Sequence, residues 1–269
     1  VLGAYGMDHY WVSTNITQMP LRYSDFNIGN QLRHNADALR ETADWIGTTK
    51  EQLNKFIAND CDAIIAGLYE YWVCYQPLFP DKTVFIPFPI KMPNPRKNLT
   101  PIGTKIKIFI GINKSRHAYK GTDVMLAAAM KLVEKYPNKV ELVKAESVPF
   151  AEYQRLMDGC DLILDQLYSY TPSMNPLLAM SKGIICVGGG EPEAYELLQE
   201  QHLHPIINVL PNEEDVFRQL ELAITNKEEL MKRKLQSVLY VDKHHEYIKV
   251  ARQYEALYKA HLPAESSPQ

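Results

Sequence analysis

Residues 106–135 read IKIFIGI, NKSRHAYKGT and DVMLAAAMKLVEK in three consecutive blocks. The first block is a short apolar run that is typical of a buried strand, and the third places Met125, Ala128 and Leu132 on one face of a helix. The middle block leaves the strand and brings the chain to the helix through Gly121. A strand, a turn and an amphipathic helix in this order predict one unit of a parallel α/β sheet.

The same alternation continues towards the C-terminus. Further strands are predicted at residues 140–143, 161–164, 183–187 and 206–210, and further helices at residues 149–157, 175–181, 213–225 and 227–240. Alternating short strands and helices indicate the α/β fold class, with helices on both faces of a parallel sheet. In such sheets ligands bind at the carboxyl ends of the strands, so candidate site residues are sought there.

The first hundred residues show a shorter version of this pattern. Strands are predicted at residues 1–5, 61–67 and 83–87, helices at residues 35–45, 50–59 and 69–75, and a polar, turn-rich segment at residues 15–29. Thr48 and Glu51 have the spacing of a capping box, which predicts the start of the second helix.

A proline-rich segment separates the two regions. Residues 87–96 contain four prolines, which remove backbone donors and favour extended chain, so the domain boundary is placed here. We expect an N-terminal domain at residues 1–95, a C-terminal domain at residues 96–262 and a disordered polar tail at residues 263–269. The chain begins within an apparent strand and without Met, from which we expect the N-terminal domain to be incomplete.

Composition excludes several function classes. The 269 residues include 29 basic and 32 acidic side chains, a net charge of −3 that gives no general reason to bind nucleic acid. No apolar run approaches the ~20 residues of a membrane helix, so no integral membrane segment is expected, and only peripheral membrane association stays open. The four cysteines form no C-x-x-C pair, which indicates small buried hydrophobes in a reduced, cytoplasmic setting.

Three cations occupy the loop after the strand at residues 106–112. Lys114, Arg116 and Lys120 lie within seven residues, and Gly121 lies just before the helix. The free N–H groups and the dipole of a helix N-terminus favour phosphate, and Arg adds bidentate hydrogen bonds. The loop is therefore a candidate anion site, and the alternative is a solvated basic loop.

A second candidate helix start follows the strand at residues 161–164. Ser173 is a plausible N-cap for a helix that continues through Met174 and Asn175 and ends at Gly183. Two helix starts at the same edge of one sheet could hold a diphosphate between them. The alternative interpretation is ordinary helix capping.

The third candidate is a glycine-rich turn that begins at Gly188. Gly189 and Gly190 permit unusual backbone angles and close approach of a ligand, and Glu191 and Glu193 could bond sugar hydroxyls. Alternatively, the segment is a flexible turn whose acids favour the following helix N-terminus.

Together these motifs resemble a known family. The sequence KGTD at residues 120–123, DLIL at 161–164, LLAMSKG at 177–183 and GGEPE at 189–193 are similar, in this order, to the donor domain of family 4 glycosyltransferases. The resemblance covers residues 104–260. It implies the GT-B fold of two Rossmann-like domains and retaining, metal-independent transfer of a sugar from a nucleotide-diphosphate donor, of UDP or GDP type, without a cofactor.

The resemblance also implies roles for single residues. Lys120 would contact the donor diphosphate, with Arg116 or Lys114 as its cationic partner. Backbone N–H groups of three residues at the second helix start would face the phosphates, namely Ser173, Met174 and Asn175. The nucleotide base would lie at Ser147, Val148 and Pro149. The donor sugar and nucleotide would also meet Tyr170, Gly189, Gly190, Glu191 and Glu193.

One departure from the family concerns two glutamates. The family usually carries two glutamates separated by seven residues, the second of which bonds the ribose and the first the donor sugar. The matching positions are Leu178 and Tyr170, and neither is acidic. Leu cannot accept a hydrogen bond from a ribose hydroxyl, so the nucleotide is expected to be held in another way.

Histidines give two further candidates. Asp8 and His9 follow a predicted strand and could form an acceptor-facing catalytic pair, although a histidine near a strand end is more often structural. His244 and His245 are adjacent on a predicted helix, where neighbouring side chains point apart, so no metal site is expected.

The leading hypothesis is a glycosyltransferase that acts on a saccharide or glycolipid acceptor in surface polysaccharide or glycolipid synthesis. The first alternative is a catalytically weak or inactive nucleotide-binding member of the same fold. The second is a nucleotide-sugar epimerase, which would need acids and histidines that converge in the cleft.

Overall fold

The computed structural model describes residues 1–93, 99–113 and 116–262. This part of the chain forms two parallel sheets that are flanked by helices, as the sequence predicts. The predicted domain boundary between residues 95 and 96 and the predicted tail at residues 263–269 lie outside the described residues.

The N-terminal domain is built on a parallel sheet with the strand order β1-β4-β5 and a separate short hairpin, β2-β3. Its elements are β1 (Leu2–Ala4), α1 (His9–Thr17), β2 (Asn27–Ile28), β3 (Gln31–Leu32), α2 (Ala36–Trp45), α3 (Thr49–Asp60), β4 (Ile64–Ala66), α4 (Tyr69–Tyr75) and β5 (Thr83–Phe85). The buried β4 runs between its two neighbours, as its uninterrupted apolar sequence indicates.

Helix α1 corrects the sequence analysis, which placed a turn-rich segment from Asn15 onwards. The helix is buried on several sides, and its polar Thr14 and Asn15 lie inside the domain. Such a helix has no exposed polar face and hence no clear 3.6-residue period. The predicted cap of α3 is confirmed, since the Thr48 side chain accepts a hydrogen bond from the Glu51 N–H.

The C-terminal domain is built on a four-stranded parallel sheet with the order β7-β6-β8-β9. Its strands are β6 (Ile106–Ile112), β7 (Val140–Glu146), β8 (Leu162–Leu164) and β9 (Ile185–Val187). Its helices are α5 (His117–Lys120), α6 (Thr122–Lys135), α7 (Phe150–Met157), α8 (Met174–Ser181), α9 (Pro192–Leu197), α10 (Glu213–Thr225) and α11 (Lys227–His244). Strands β8 and β9 are apolar and buried throughout, because helices cover both faces of the sheet.

Two elements near the C-terminus differ from prediction. The strand predicted at residues 206–210 is reduced to one parallel bridge between Ile207 and Val187. A last helix, α12 (Tyr247–His261), was not predicted and packs on the N-terminal sheet through Val250. Its apolar residues do recur at helical spacing, so the sequence carried a signal for it.

The two domains are joined at one place by two backbone hydrogen bonds that form a parallel bridge between Ile90 and Glu246. The Ile90 N–H donates to the His245 carbonyl (2.6 Å), and the Tyr247 N–H donates to the Ile90 carbonyl (3.1 Å). His245 Nδ1 lies 2.9 Å from the Phe88 carbonyl oxygen, and burial lowers the pKa of this imidazole to about 4. The prolyl segment and the start of α12 therefore cross between the domains side by side.

Candidate functional site

The loop after β6 presents a lysine beside a helix start. Gly121 adopts a left-handed φ of 71° and contributes no side chain that could cap α6. A Cβ at this position would lie 2.6 Å from Leu167 Cβ and 2.7 Å from Tyr168, so only glycine fits. Within the described ranges the Lys120 side chain forms no hydrogen bond or ion pair. Burial raises the pKa of the nearby Asp165 carboxyl, and the Lys120 ammonium opposes part of that rise.

The loop after β8 lies against the loop that carries Lys120. The Leu167 N–H donates to the Lys120 carbonyl at 2.9 Å, which joins the two loops at the carboxyl edge of the sheet. Ser173 is the N-cap of α8, as predicted, but its hydroxyl does not cap the helix and instead accepts from Gln166 Nε2 at 3.5 Å. Met174 and Asn175 are exposed at the first turn. The first turns of α6 and α8 thus lack a side-chain cap, and the loops that lead into these two helices are in contact.

The glycine-rich turn after β9 packs on the chain itself. Gly188 and Gly189 have φ values of 101° and 68°. A Cβ at Gly188 would lie 2.7 Å from the Gln166 carbonyl oxygen, and one at Gly189 would lie 3.1 Å from the Thr171 backbone. A Cβ at Gly190 would lie 2.8 Å from Ile206. The close approach that these glycines allow is therefore one between neighbouring loops of the protein.

The acids of this turn bind the N-terminal domain. Arg22 contacts both Glu191 and Glu193, with 3.2 Å from its Nη2 to Glu193 Oε2. The buried Glu191 carboxylate also accepts hydrogen bonds from the Tyr23 hydroxyl and from Asn208 Nδ2, the latter at 2.9 Å. A sugar hydroxyl at these acids would share the carboxylates with these donors of the protein.

Tyr170, which stands where the resembled family carries its first glutamate, is buried between the domains. Its ring is stacked on Tyr69 with 5.6 Å between centroids and lies 5.0 Å from the ring of Tyr23. Its hydroxyl accepts a hydrogen bond from the Arg22 N–H at 2.8 Å. With 2 % of its surface exposed, Tyr170 contacts the N-terminal domain and not solvent.

The predicted base position lies at the end of β7. Ser147 is exposed and has a positive φ of 50°, and its N–H donates to the Ile112 carbonyl at 3.0 Å. Val148 and Leu178 are partly buried in the same apolar cluster. Pro149 is the N-cap of α7. Leu178 thus presents an apolar side chain at the position where the resembled family bonds the ribose, and nucleotide binding at Ser147, Val148 and Pro149 stays a prediction.

Arg116 contacts the N-terminal domain. Its Nη2 lies 3.6 Å from Glu41 Oε1, and its guanidinium lies 4.9 Å from the centroid of the Tyr119 ring. Its Nε is buried and has no hydrogen-bond partner. Lys114, the other predicted partner of the diphosphate, lies outside the described residues.

Asp8 and His9 have structural contacts. Asp8 is the N-cap of α1, accepts from the Trp11 N–H at 2.8 Å, and receives the Tyr75 hydroxyl at 2.7 Å. His9 is buried, and its Nδ1 lies 3.4 Å from the Trp45 carbonyl oxygen. Burial lowers the pKa of His9, so the imidazole is neutral near pH 7. A catalytic role for this pair stays a prediction, and the contacts described here account for both side chains.

Metal ligands are not grouped in the described ranges of the chain, where no cluster of three histidine, cysteine or acidic side chains occurs. His244 lies 2.5 Å from Glu200 Oε2, whereas His245 faces the Phe88 carbonyl, so the two side chains do point apart. The four cysteines are free thiols, three of them buried. Among the described helices none has the length and apolarity that a membrane crossing requires.

Four residues at the interface between the domains were missed by the sequence analysis. Arg22, Asp25, Arg33 and Glu70 all belong to the N-terminal domain and face the loops of the C-terminal domain. Burial raises the pKa of the Asp25 carboxyl to about 6, against the effect of its hydrogen bond from Tyr119. No local motif marks these residues, because each partner lies 85 or more positions away in the sequence.

No protein-family model matches the sequence, and no curated protein matches it. Solved structures do. HepE from Anabaena, in complex with UDP, superposes with a TM-score of 0.61 at 12 % identity, over 81 % of this chain and 69 % of HepE. TarM from S. aureus, as a variant in complex with UDP and saccharide ligands, gives 0.58 at 11 % identity, over 78 % of this chain and 46 % of TarM. Sucrose-phosphate synthase from Thermosynechococcus elongatus gives 0.56 at 14 % identity, over 82 % and 63 %.

These similarities agree with the architecture described above. Two parallel α/β domains, a prolyl crossing and a C-terminal helix that returns to the first domain are present in one chain. At 11–14 % identity these similarities establish the fold alone. The chain has the GT-B glycosyltransferase fold.

Proposed function

We propose that the protein is a glycosyltransferase that takes its sugar from a nucleotide-diphosphate donor. The observation that carries the proposal is Lys120, whose ammonium forms no hydrogen bond or ion pair with the described residues. Lys120 is followed by Gly121, the N-cap of α6, and its carbonyl is bound by the loop that leads to α8; neither helix start has a side-chain cap. UDP in the HepE and TarM complexes supports the same class of ligand.

The proposed chemistry is charge stabilisation. When the bond between the sugar and the diphosphate breaks, negative charge develops on the leaving phosphate oxygens. The Lys120 ammonium and the N–H groups at the starts of α6 and α8 would hold that charge in fixed positions, which lowers the barrier without a metal ion. Retention follows from the family resemblance, with the acceptor hydroxyl attacking the face from which the diphosphate leaves.

The acceptor and setting are proposed on the resemblance alone. A saccharide or glycolipid would bind on the side of the N-terminal domain, and the reaction would belong to surface polysaccharide or glycolipid synthesis in the cytoplasm. The net charge of −3 gives no electrostatic drive towards nucleic acid.

The first experiment measures the thermal unfolding of wild type and of Lys120→Ala with UDP, GDP, ADP and their glucose conjugates. A ligand at ~100 times its dissociation constant adds about 2.7 kcal/mol to the unfolding free energy. We expect one diphosphate to raise the midpoint in wild type and to lose that effect in Lys120→Ala. Lys131→Ala is the matched control, because this exposed lysine of α6 pairs with Glu213 away from the loop.

Two further measurements test the finer points of the proposal. Binding in the presence of EDTA tests metal independence, and the anomeric configuration of any product, read by NMR, tests retention. If no nucleotide or nucleotide sugar shifts the midpoint of wild type, the proposed donor site is wrong.

A second candidate function is nucleotide binding without transfer. It is favoured by Tyr170, which is buried by the N-terminal domain, and by Glu191, whose buried carboxylate already accepts from three donors of the protein. This candidate predicts that the diphosphate binds and that its sugar conjugate binds no better and is never consumed.

A further inference from the structure

The one-turn helix α5 ends at Lys120, so the position of this helix fixes the position of the Lys120 backbone. A helix of four residues does not hold itself, since nucleation is unfavourable and few intrahelical bonds form. Arg33, a residue of the N-terminal domain, binds two of its carbonyl groups. Arg33 Nη2 donates to the Ala118 carbonyl at 2.8 Å, and Nη1 donates to the Tyr119 carbonyl at 3.2 Å.

Arg33 is itself bound by residues of both domains. Its Nη1 also donates to the carbonyl groups of Ser24 and Asp25 in the N-terminal domain, each at 3.1 Å. Its guanidinium lies over the ring of Tyr168, 3.3 Å from the centroid, on the loop after β8. Only a planar group with five donors can serve all these partners, so lysine is no substitute.

Other contacts of the same segment come from the same domain. The hydroxyl of buried Tyr119 donates a hydrogen bond to the Asp25 carboxylate, and its ring meets the edge of Phe26 at 6.3 Å. Arg116, one residue before α5, approaches Glu41. The N-terminal domain thus supplies side chains that bind Arg116, Ala118 and Tyr119, while Leu167 of the C-terminal domain binds the Lys120 carbonyl.

We propose that Arg33 is a positioning residue of the donor site. By binding the Ala118 and Tyr119 carbonyl groups of α5, it holds Lys120 where the diphosphate of a nucleotide binds, so affinity for a nucleoside diphosphate requires both domains. This inference rests on the proposed function. Arg33 acts through Lys120 and the backbone of α5 and does not contact the ligand.

A double-mutant cycle tests the coupling. UDP and UMP dissociation constants are measured by calorimetry for wild type, Arg33→Ala, Lys120→Ala and the double variant, with GDP and GMP used instead where wild type selects guanine. We expect Arg33→Ala to weaken diphosphate binding about tenfold in wild type and less than about twofold in the Lys120→Ala background, because coupled residues are not additive. Monophosphate binding changes less than diphosphate binding.

Controls separate positioning from general damage. Arg33→Lys keeps the charge but loses the fork, so it should resemble Arg33→Ala, and it replaces that variant if Arg33→Ala does not fold. Arg218→Ala removes an exposed arginine of α10 and should leave both constants unchanged.

Three outcomes would overturn the inference. If the changes in the diphosphate dissociation constant caused by the Arg33 and Lys120 variants multiply independently, Arg33 only connects the two domains, and the proposed donor site is unaffected. Equal losses for diphosphate and monophosphate would lead to the same conclusion. If wild type binds no nucleoside diphosphate, the proposed function itself fails and takes this inference with it.

Discussion

Glu70 offers the sharpest test of how the two domains hold together. Its buried carboxylate accepts four hydrogen bonds from the loop after β8. Oε1 accepts from Ser169 Oγ (2.9 Å), the Tyr170 N–H (2.7 Å) and the Thr171 N–H (3.0 Å), and Oε2 accepts from Thr171 Oγ1. We expect Glu70→Ala to destabilise the interface between the domains and Glu70→Gln to do so only slightly.

The magnitude follows from which donors lose their acceptor. The two hydroxyls can rotate, and Ser169 Oγ already has the Thr171 carbonyl at 2.7 Å as a second partner. The two backbone N–H groups cannot rotate, and a buried donor without a partner costs about 1–3 kcal/mol. Glu70→Ala should therefore cost about 4 kcal/mol. In Glu70→Gln the amide oxygen replaces Oε1 and the NH₂ group replaces Oε2, where Thr171 Oγ1 can accept, so the cost should be about 1 kcal/mol.

The tryptophans allow a measurement by domain. Trp11, Trp45 and Trp72 all lie in the N-terminal domain, so their fluorescence follows that domain while far-ultraviolet circular dichroism follows the whole chain. In wild type we expect both signals to change together on heating. In Glu70→Ala the midpoint should fall by roughly 10 °C, at about 2–4 °C per kcal/mol, and the two signals should separate. Equal shifts for the alanine and glutamine variants would refute the reasoning, since they would show that the backbone donors find other acceptors.

Two further predictions concern the cleft. Because burial raises the pKa of Asp25 to about 6 from an ordinary value of 3.8, the folded state holds this proton more tightly than the unfolded state. Stability contributed by protonated Asp25 is therefore lost as pH rises from about 4 to about 6, and Asp25→Asn should remove this fall in urea titrations; an unchanged slope contradicts it. Gly121→Ala should cost about 1–3 kcal/mol from its positive φ alone and abolish the shift in unfolding midpoint with a nucleoside diphosphate, as checked by thermal unfolding; a variant that binds normally would show that the turn is adaptable.

The C-terminal domain was predictable because short local sequence patterns mark most of its strands and helices. Strands such as β8 and β9 are short, wholly apolar runs, and each is followed by glycine, an N-cap residue or a helical apolar period. The N-terminal domain was harder, since α1 is buried on several faces and has no solvent-facing polar stripe. A pattern can be recognised only where one face meets water and another meets the core.

The site divides in the same way. The places of Lys120, Gly121 and Ser173 beside helix starts could be predicted because they follow from the order of strand, loop and helix, whereas their roles stay predictions. Arg33 and Glu70 could not, because their partners are 86 and 100 residues away and the contacts depend on how two domains meet. The spacing of residues within one short motif cannot predict an arginine that binds carbonyl groups of another domain.

The contacts between the domains also separate the candidate sugar-binding residues into two kinds. Tyr170 is stacked between rings of the N-terminal domain, so it cannot meet a ligand unless the domains part. Glu191 and Glu193 are held by Arg22, whose side chain is 56 % exposed and can leave while the domains stay together. A guanidinium and a sugar hydroxyl both donate to a carboxylate, so one can replace the other at Glu193. Glu191 is buried and keeps Tyr23 and Asn208 as donors when Arg22 leaves. Recognition of a sugar by Glu193 is therefore compatible with the closed arrangement, whereas recognition by Tyr170 is not.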